Sequence, residues 1–314
     1  MLDVVNMNSY STQWPEFSDC NFQAKHAGLL FADDQVIGRL HNVPETECKA
    51  IYRTDTNQFL GTSGNRYGIA DNAALNDQVI QALEESLPRS YLEKIELKEE
   101  TSSNGAFCKW TYTFPNAAEP IRQLRNATGY RSDVYGKQHK ETWLNFQVSI
   151  VNSFSGKTPV ICKAGSVDVS CLNSLTTSYY DTSKQRHTSS LDITRFGEFL
   201  EQQANSYRDK ISIWQRWADK SIDSEQANAA LIEAGISPRL TKQLMDRFEV
   251  EATKRGKSIW ALASSLTYWG THNSELFTVR GSKTRDNVAA SLDARQNKVT
   301  RVLSSSAWQM LEAA

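Results

Sequence analysis

The 314 residues are 39% hydrophobic and 23% charged with a net charge of −1, a balance that excludes wholesale disorder and a bulk polycation. No stretch approaches the roughly 18 apolar residues of a membrane span, and residues 1–10 lack the basic start and apolar run of a secretory leader. The expected location is therefore the cytoplasm of the cell that makes it. Charge is uneven along the chain: the first hundred residues carry a net of −8, the second hundred +4 and the remainder +3. Five cysteines (Cys20, Cys48, Cys108, Cys162, Cys171) form no Cys-x-x-Cys pair, which predicts free buried thiols. The five histidines (His26, His41, His139, His187, His272) are scattered, so no zinc site is expected.

In chain order, residues 35–41 and 48–53 read as strands. The second leads through Thr54-Asp55-Thr56-Asn57 to Phe59-Leu60-Gly61 as a hairpin. Asp71 can cap a helix with Leu75, Val79, Leu83 and Leu87 on one face, stopped by Pro88. Ile95 and Leu97 suggest a further strand. Residues 107–114 alternate, with Cys108, Trp110, Tyr112 and Phe114 on one face and Lys109, Thr111 and Thr113 on the other. Residues 142–152 do the same, with Leu144, Phe146, Val148 and Ile150 opposed to Trp143, Asn145, Gln147 and Ser149. Each predicts an antiparallel strand with one buried and one wet face. Two short apolar pieces follow, 160–162 and 167–171, with Ala164-Gly165-Ser166 as a turn between them.

From about residue 191 the period changes from two to 3.6. Asp192 caps one long helix carrying Phe196, Phe199, Leu200, Tyr207, Ile211 and Trp214. A second runs over 224–234 and closes on Gly235, and Ser237-Pro238 opens a third that ends near Gly256. A fourth, aromatic-rich, spans 258–271 and suits a core or a subunit interface equally, and a terminal helix lies around Ala307. The fold class expected is α+β, with a β-rich antiparallel body over 1–190 and a helical region over 191–314 packed on it.

The chain has no phosphate-binding loop, no G-x-S-x-G elbow and no H-E-x-x-H pair. No cofactor and no bond chemistry are expected. Residues 122–143 are different. Arg122, Arg125, Arg131, Lys137 and Lys140 interleave with Tyr130, Tyr135, His139 and Trp143 in a segment punctuated by Gly129 and Gly136, read as a loop feeding the next strand. Single-strand binding needs this mixture, because cations meet phosphates while rings stack on bases. Lys109 joins these candidates from the strand before. A second basic–aromatic cluster is Tyr179-Tyr180 with Lys184, Arg186 and His187. A third is the tail, where Arg280, Lys283, Arg285, Arg295, Lys298 and Arg301 outnumber the acids. The helix pair around Gly235 also has the form of a helix-turn-helix, with Arg239, Thr241 and Lys242 where base contacts would fall. Short helical hairpins are common in any helical domain, and plain hairpin packing is the preferred account of it.

Several ordered fragments carry a resemblance. Asn65-Arg66-Tyr67, the strand ending in Asn152-Ser153, Cys171-Leu172-Asn173-Ser174-Leu175, Arg186-His187-Thr188 and Ser258-Ile259-Trp260 resemble a family of uncharacterised phage and plasmid proteins. Within it, size and layout look most like the single-stranded-DNA-binding RNA polymerase cofactors of lytic Pseudomonas podoviruses. The resemblance implies a phage protein that holds melted promoter DNA and recruits the phage RNA polymerase. Of the motif residues, only Arg186 and His187 double as expected DNA contacts. The competing expectations are a protein–protein adaptor and a duplex-specific helix-turn-helix regulator.

Overall fold

The computed structural model describes residues 12–27, 48–64, 66–102, 104–122, 130–132, 137–139, 141–154, 158–168, 173–175, 182–272 and 288–313. The strand expected over 35–41 lies outside them. Strands β1 (Ala24–Ala27), β2 (Cys48–Arg53) and β3 (Phe59–Gly64) form a three-stranded antiparallel sheet in that order. The expected hairpin joins β2 to β3, and Asn57 takes the left-handed conformation there (φ 54°), which a short polar side chain tolerates. Asp71 caps helix α1 (Asn72–Ser86) by accepting from the Ala74 amide at 2.9 Å, and Leu75, Val79 and Leu83 form its buried stripe. Pro88 follows, opening the short helix α2 (Arg89–Leu92), which leads to strand β4 (Glu96–Thr101).

The main sheet is built on β5 (Phe107–Arg122), β8 (Glu141–Ser153) and β9 (Val160–Asp168), with β4 outside β5. Strands β10 (Asn173–Leu175) and β11 (Thr182–Gln185) share the outer edge of β9. All pairings are antiparallel. Among the described residues, strands β6 (Tyr130–Ser132) and β7 (Lys137–His139) pair with each other and with no other strand. Two expectations are corrected here. The apolar pieces at 160–162 and 167–171 are not divided by a turn, because Ala164-Gly165-Ser166 continues β9 and pairs with Phe146, Gln147 and Val148 of β8. Strand β5 also runs eight residues past Phe114. A register slip between Phe114 and Glu119 reverses its parity, so odd-numbered Ile121 joins the face that buries even-numbered Phe114. Its ladder with β4 ends at Thr113, so Pro115 and Pro120 break no hydrogen bonds on that side.

One face of this sheet holds the core. Cys108, Trp110, Tyr112, Phe114, Phe146 and Ile150 are buried there beneath an amino-terminal arm and several helices. In the arm, Trp14 meets Tyr112 edge-on and Phe17 packs on Trp110. From α1, Asn76 accepts from the Tyr112 hydroxyl at 2.8 Å. The single long helix expected after Asp192 is two, α3 (Thr194–Asn205) and α4 (Tyr207–Asp219), broken at Ser206. The break lets Tyr207 turn into the sheet, where its hydroxyl lies 3.0 Å from the Leu144 carbonyl.

Helices α5 (Ser224–Glu233), α6 (Pro238–Arg255), α7 (Ile259–Thr271), α8 (Val288–Leu303) and α9 (Ser306–Ala313) complete the helical half. Asp223 and Gln226 make a reciprocal capping box on α5, and Gly235 ends it at φ 76°. The aromatic helix α7 is core: Trp260 through Leu266 are buried, and one continuous apolar cluster runs from the sheet into it. Body and helical half thus share a core, and the α+β class stands as expected. No described helix is long and apolar enough to cross a membrane.

Candidate nucleic-acid interface

The sheet's second face is polar. In an antiparallel pair, opposite residues share a face, so the rows can be followed across strands. Lys184 of β11 lies opposite Ile161 of β9, Ile161 opposite Val151 of β8, and Val151 opposite Lys109 of β5. The next row runs Thr182, Lys163, Ser149 and Thr111, and the one after it Gly165, Gln147 and Thr113. Trp143 closes the series at the far end of β8, opposite Pro120. Hydroxyls and amides bond along these rows, Thr111 Oγ1 to Ser149 Oγ at 2.9 Å and Gln147 Nε2 to Thr113 Oγ1 at 3.1 Å.

The sequence-derived contacts separate on this frame. Trp143 is 41% exposed, a large ring held on the polar face with its body in solvent. Lys184 and Arg186 are exposed. Lys109 is corrected: although it is on the polar face it is only 7% exposed, and it faces Glu100 at 3.8 Å as a cation within the sheet. Lys163 is equally covered, and Ile161 and Val151 in the Lys184 row are buried too, so on that side of the face only Lys184 at the sheet edge is exposed. Arg122 ends β5 opposite Glu141. Tyr130, Arg131 and Lys137 fall on the β6–β7 ribbon, where Tyr130 is opposite His139 and Lys137 opposite Ser132. The segment expected as a loop therefore contains paired strands. Arg125, Tyr135 and Lys140 lie outside the described residues.

His187 is the second correction. It is 8% exposed, stacks on Tyr67 (centroids 4.7 Å apart, planes at 16°) and places Nδ1 3.2 Å from the Gly68 carbonyl. Burial lowers its pKa from the ordinary histidine value. Three of the fragments singled out in the sequence, at 66–67, 152–153 and 186–188, meet around it. The Tyr67 hydroxyl donates to the Ser153 carbonyl at 2.8 Å, the Ser189 amide donates to Arg66 O at 3.2 Å, and the Asn152 amide reaches Ala70 O and Asn72 Oδ1. Gly68 fits because it has no Cβ, which would stand 2.2 Å from the Thr188 carbonyl oxygen. This junction fastens the end of β8 to the segment entering the helical half. His187 is part of the fastening and presents almost no surface.

Sequence reading treated the second and third basic clusters as separate, but the fold brings them together. Thr182 and Lys184 form one wall of a cleft of about 330 Å³, and Asn297, Thr300 and Arg301 of α8 form the other. Arg301 is exposed and makes no ion pair among the described residues. Arg295, by contrast, donates to the Trp269 carbonyl at 3.1 Å and lies over that ring, which makes it a clamp between α7 and α8. Arg280, Lys283 and Arg285 lie outside the described residues. Nothing in the sequence pairs residue 184 with residue 301, so only the tertiary arrangement reveals the cleft.

The helix pair α5–α6 exposes Arg239 and Lys242 on the first turns of α6, with Thr241 buried between them. Among the described residues, no group of three His, Cys, Asp or Glu side chains stands close enough to hold a metal ion. No family model, no curated protein and no solved structure matches the chain.

Proposed function

We propose that this is a non-enzymatic single-stranded-DNA-binding protein of a phage, and that the strand is held at the Trp143 end of the polar sheet face. The observation that carries this reading is Trp143. A tryptophan 41% exposed on a strand's polar side is a ready stacking platform, and base–aromatic stacking contributes about 1–3 kcal/mol per base. The strand it begins follows directly on a segment that supplies Arg131 and Lys137 on a two-stranded ribbon. Lys184 shares the face eight residues further along the β8 register and two strands across, roughly 30 Å away by the usual rise and strand spacing. A flat ring with cations close to it in the chain suits a single strand, whose bases stack while its phosphates meet the charges. The resemblance to podoviral RNA polymerase cofactors extends the proposal to melted promoter DNA and recruitment of the phage RNA polymerase.

Fluorescence-anisotropy titration with a single-stranded oligonucleotide and its duplex, each at several salt concentrations, tests this reading. Preference for the single strand with a log–log salt slope of about −0.7 per neutralised phosphate is expected. Charge reversal of Arg131 and Lys137 together should weaken binding to all sequences alike. No binding to either form at low salt would overturn the proposal in favour of a protein–protein adaptor. A second reading rests on exposed Arg239 and Lys242 at the start of α6, and sequence-dependent footprints on duplex DNA would select it.

A further inference from the structure

We infer that Trp143 and Asn145 form a subsite for one base of the bound strand, in which Asn145 selects bases that carry an exocyclic amine. The inference rests on the single-stranded-DNA reading and deepens it by naming which bases the Trp143 end of the sheet prefers.

The first support is an orphaned acceptor. Asn145 is 9% exposed, and its side-chain oxygen is buried with no hydrogen-bond partner among the described residues. Its neighbours on that face are matched: Thr111 bonds Ser149, Gln147 bonds Thr113, and Lys109 faces Glu100. Folded proteins rarely bury an amide oxygen unpaired, because it gives up its bond to water and gains none in return. A ligand that brings an N–H donor completes such a group.

The second is placement. Residues two apart in a strand share a face, so Asn145 stands beside the exposed Trp143, about 7 Å along β8. The register slip of β5 falls at Asn145, between the Phe114–Phe146 and Glu119–Leu144 pairs, and on β9 its neighbour is Val167. Valine has no side-chain donor to offer, and slips of this kind recur beside binding sites, where they re-aim side chains.

The third is chemistry. A nucleobase brings both things this pair lacks, a flat face for the indole and an edge that donates. With its ring on Trp143, a base extends its edge toward the carboxamide. Adenine, cytosine and guanine each carry an exocyclic amine that can donate to the Asn145 oxygen. Thymine and uracil carry a carbonyl there instead and would set oxygen against oxygen. No partner holds the Asn145 oxygen, and the terminal torsion of asparagine is broad, so the amide can turn to meet the edge.

The test titrates the full-length protein by anisotropy with oligo-dC and oligo-dU of equal length at slightly alkaline pH. These pyrimidines have the same ring size, and cytosine carries an amine where uracil carries a carbonyl. The wild type should bind oligo-dC more tightly by on the order of tenfold, the contribution of one well-made hydrogen bond to a base edge. Asn145→Leu, close in shape but without the amide, should bring the two strands to equal affinity while melting no lower than the wild type. Asn145→Val, which suits a strand, is measured alongside in case leucine disturbs the sheet, and should equalise them too. Trp143→Ala should weaken binding of both strands. Equal wild-type affinities, or tighter binding of oligo-dU, would overturn the base selection while the single-strand reading stands. A preference for oligo-dC that survives in both Asn145 variants would overturn it as well. If the wild type binds neither strand, both readings fall together.

Discussion

Glu251 in the helical half sits at the centre of a buried ion cluster. Its carboxylate accepts from Arg255 Nε at 2.8 Å and from Arg247 at 2.5 Å; Glu251 itself is fully buried and Arg255 is 1% exposed. Arg247 also lies over the Tyr268 ring at 3.5 Å. Glu251→Gln keeps the shape and removes the buried charge that Arg255 and Arg247 face. Breaking such a pair from one side costs about 3–5 kcal/mol. For 314 residues the unfolding entropy at the midpoint is about 0.66 kcal/mol/K, so the loss corresponds to a Tm drop of about 5–8 °C. Differential scanning calorimetry measures it directly. The matched control is Glu249→Gln on the same helix, whose exposed pairing with Lys257 at 3.1 Å should contribute less than about 1 kcal/mol. Replacing Glu251 and Arg255 together with leucine and methionine should recover most of the loss, because the penalty lies in the orphaned charge. Equal Tm shifts for Glu251→Gln and Glu249→Gln would refute the argument.

Other outcomes can be checked with the same protein. Trp143→Ala should weaken single-strand affinity by roughly 5- to 150-fold, the equivalent of about 1–3 kcal/mol, while leaving Tm nearly unchanged; unaltered affinity would remove the stacking role. Gly68→Ala should lower Tm by a few degrees, since the added methyl meets the Thr188 carbonyl oxygen at 2.2 Å and costs about 1–3 kcal/mol. Cys20, Cys108 and Cys162 are buried; the hydrogen bond with Cys108, with burial behind it, raises the pKa of Cys20, and burial raises that of Cys162. Those three thiols should be silent to Ellman's reagent until the chain unfolds. Burial holds the folded-state pKa of His187 and His26 below 6.5. The unfolded chain then binds more protons just below 6.5, so stability should fall as pH drops from 7 toward 5, and His187→Gln should flatten that dependence in thermal melts.

Local chemistry made the elements legible, and tertiary geometry set their limits. Helix α1 could be read from Asp71 to Pro88 because cap, stripe and stop lie within one stretch. Helix α6 was equally plain from Ser237-Pro238 to Gly256. Strand β9 was misread because Ala164-Gly165-Ser166 has turn composition; tertiary pairing to β8 overrides that composition, and the small residues fit beside Phe146 and Val148. The break at Ser206 was hidden because Tyr207 and Trp214 continue a helical period across it. For the site, Trp143 was legible because its parity in the alternating strand set it opposite the core. Lys109 shares that parity and is nevertheless covered, since alternation assigns a face and does not report what lies over it. His187 looked like a basic contact until its stack on Tyr67 placed it in a junction. The pairing of Lys184 with Arg301 depends on how α8 docks, and no local pattern encodes that.

The two walls of the β11–α8 cleft also set an order in time. Synthesis at about 5–20 residues per second reaches α8 only some 6–24 seconds after β11, about 120 residues later. A nascent chain still on the ribosome holds Lys184 without Arg301. It can already shape most of its sheet, yet it holds only one wall of the cleft. The cleft is complete only once the last helices dock, so its second wall is among the last parts of the chain to be made.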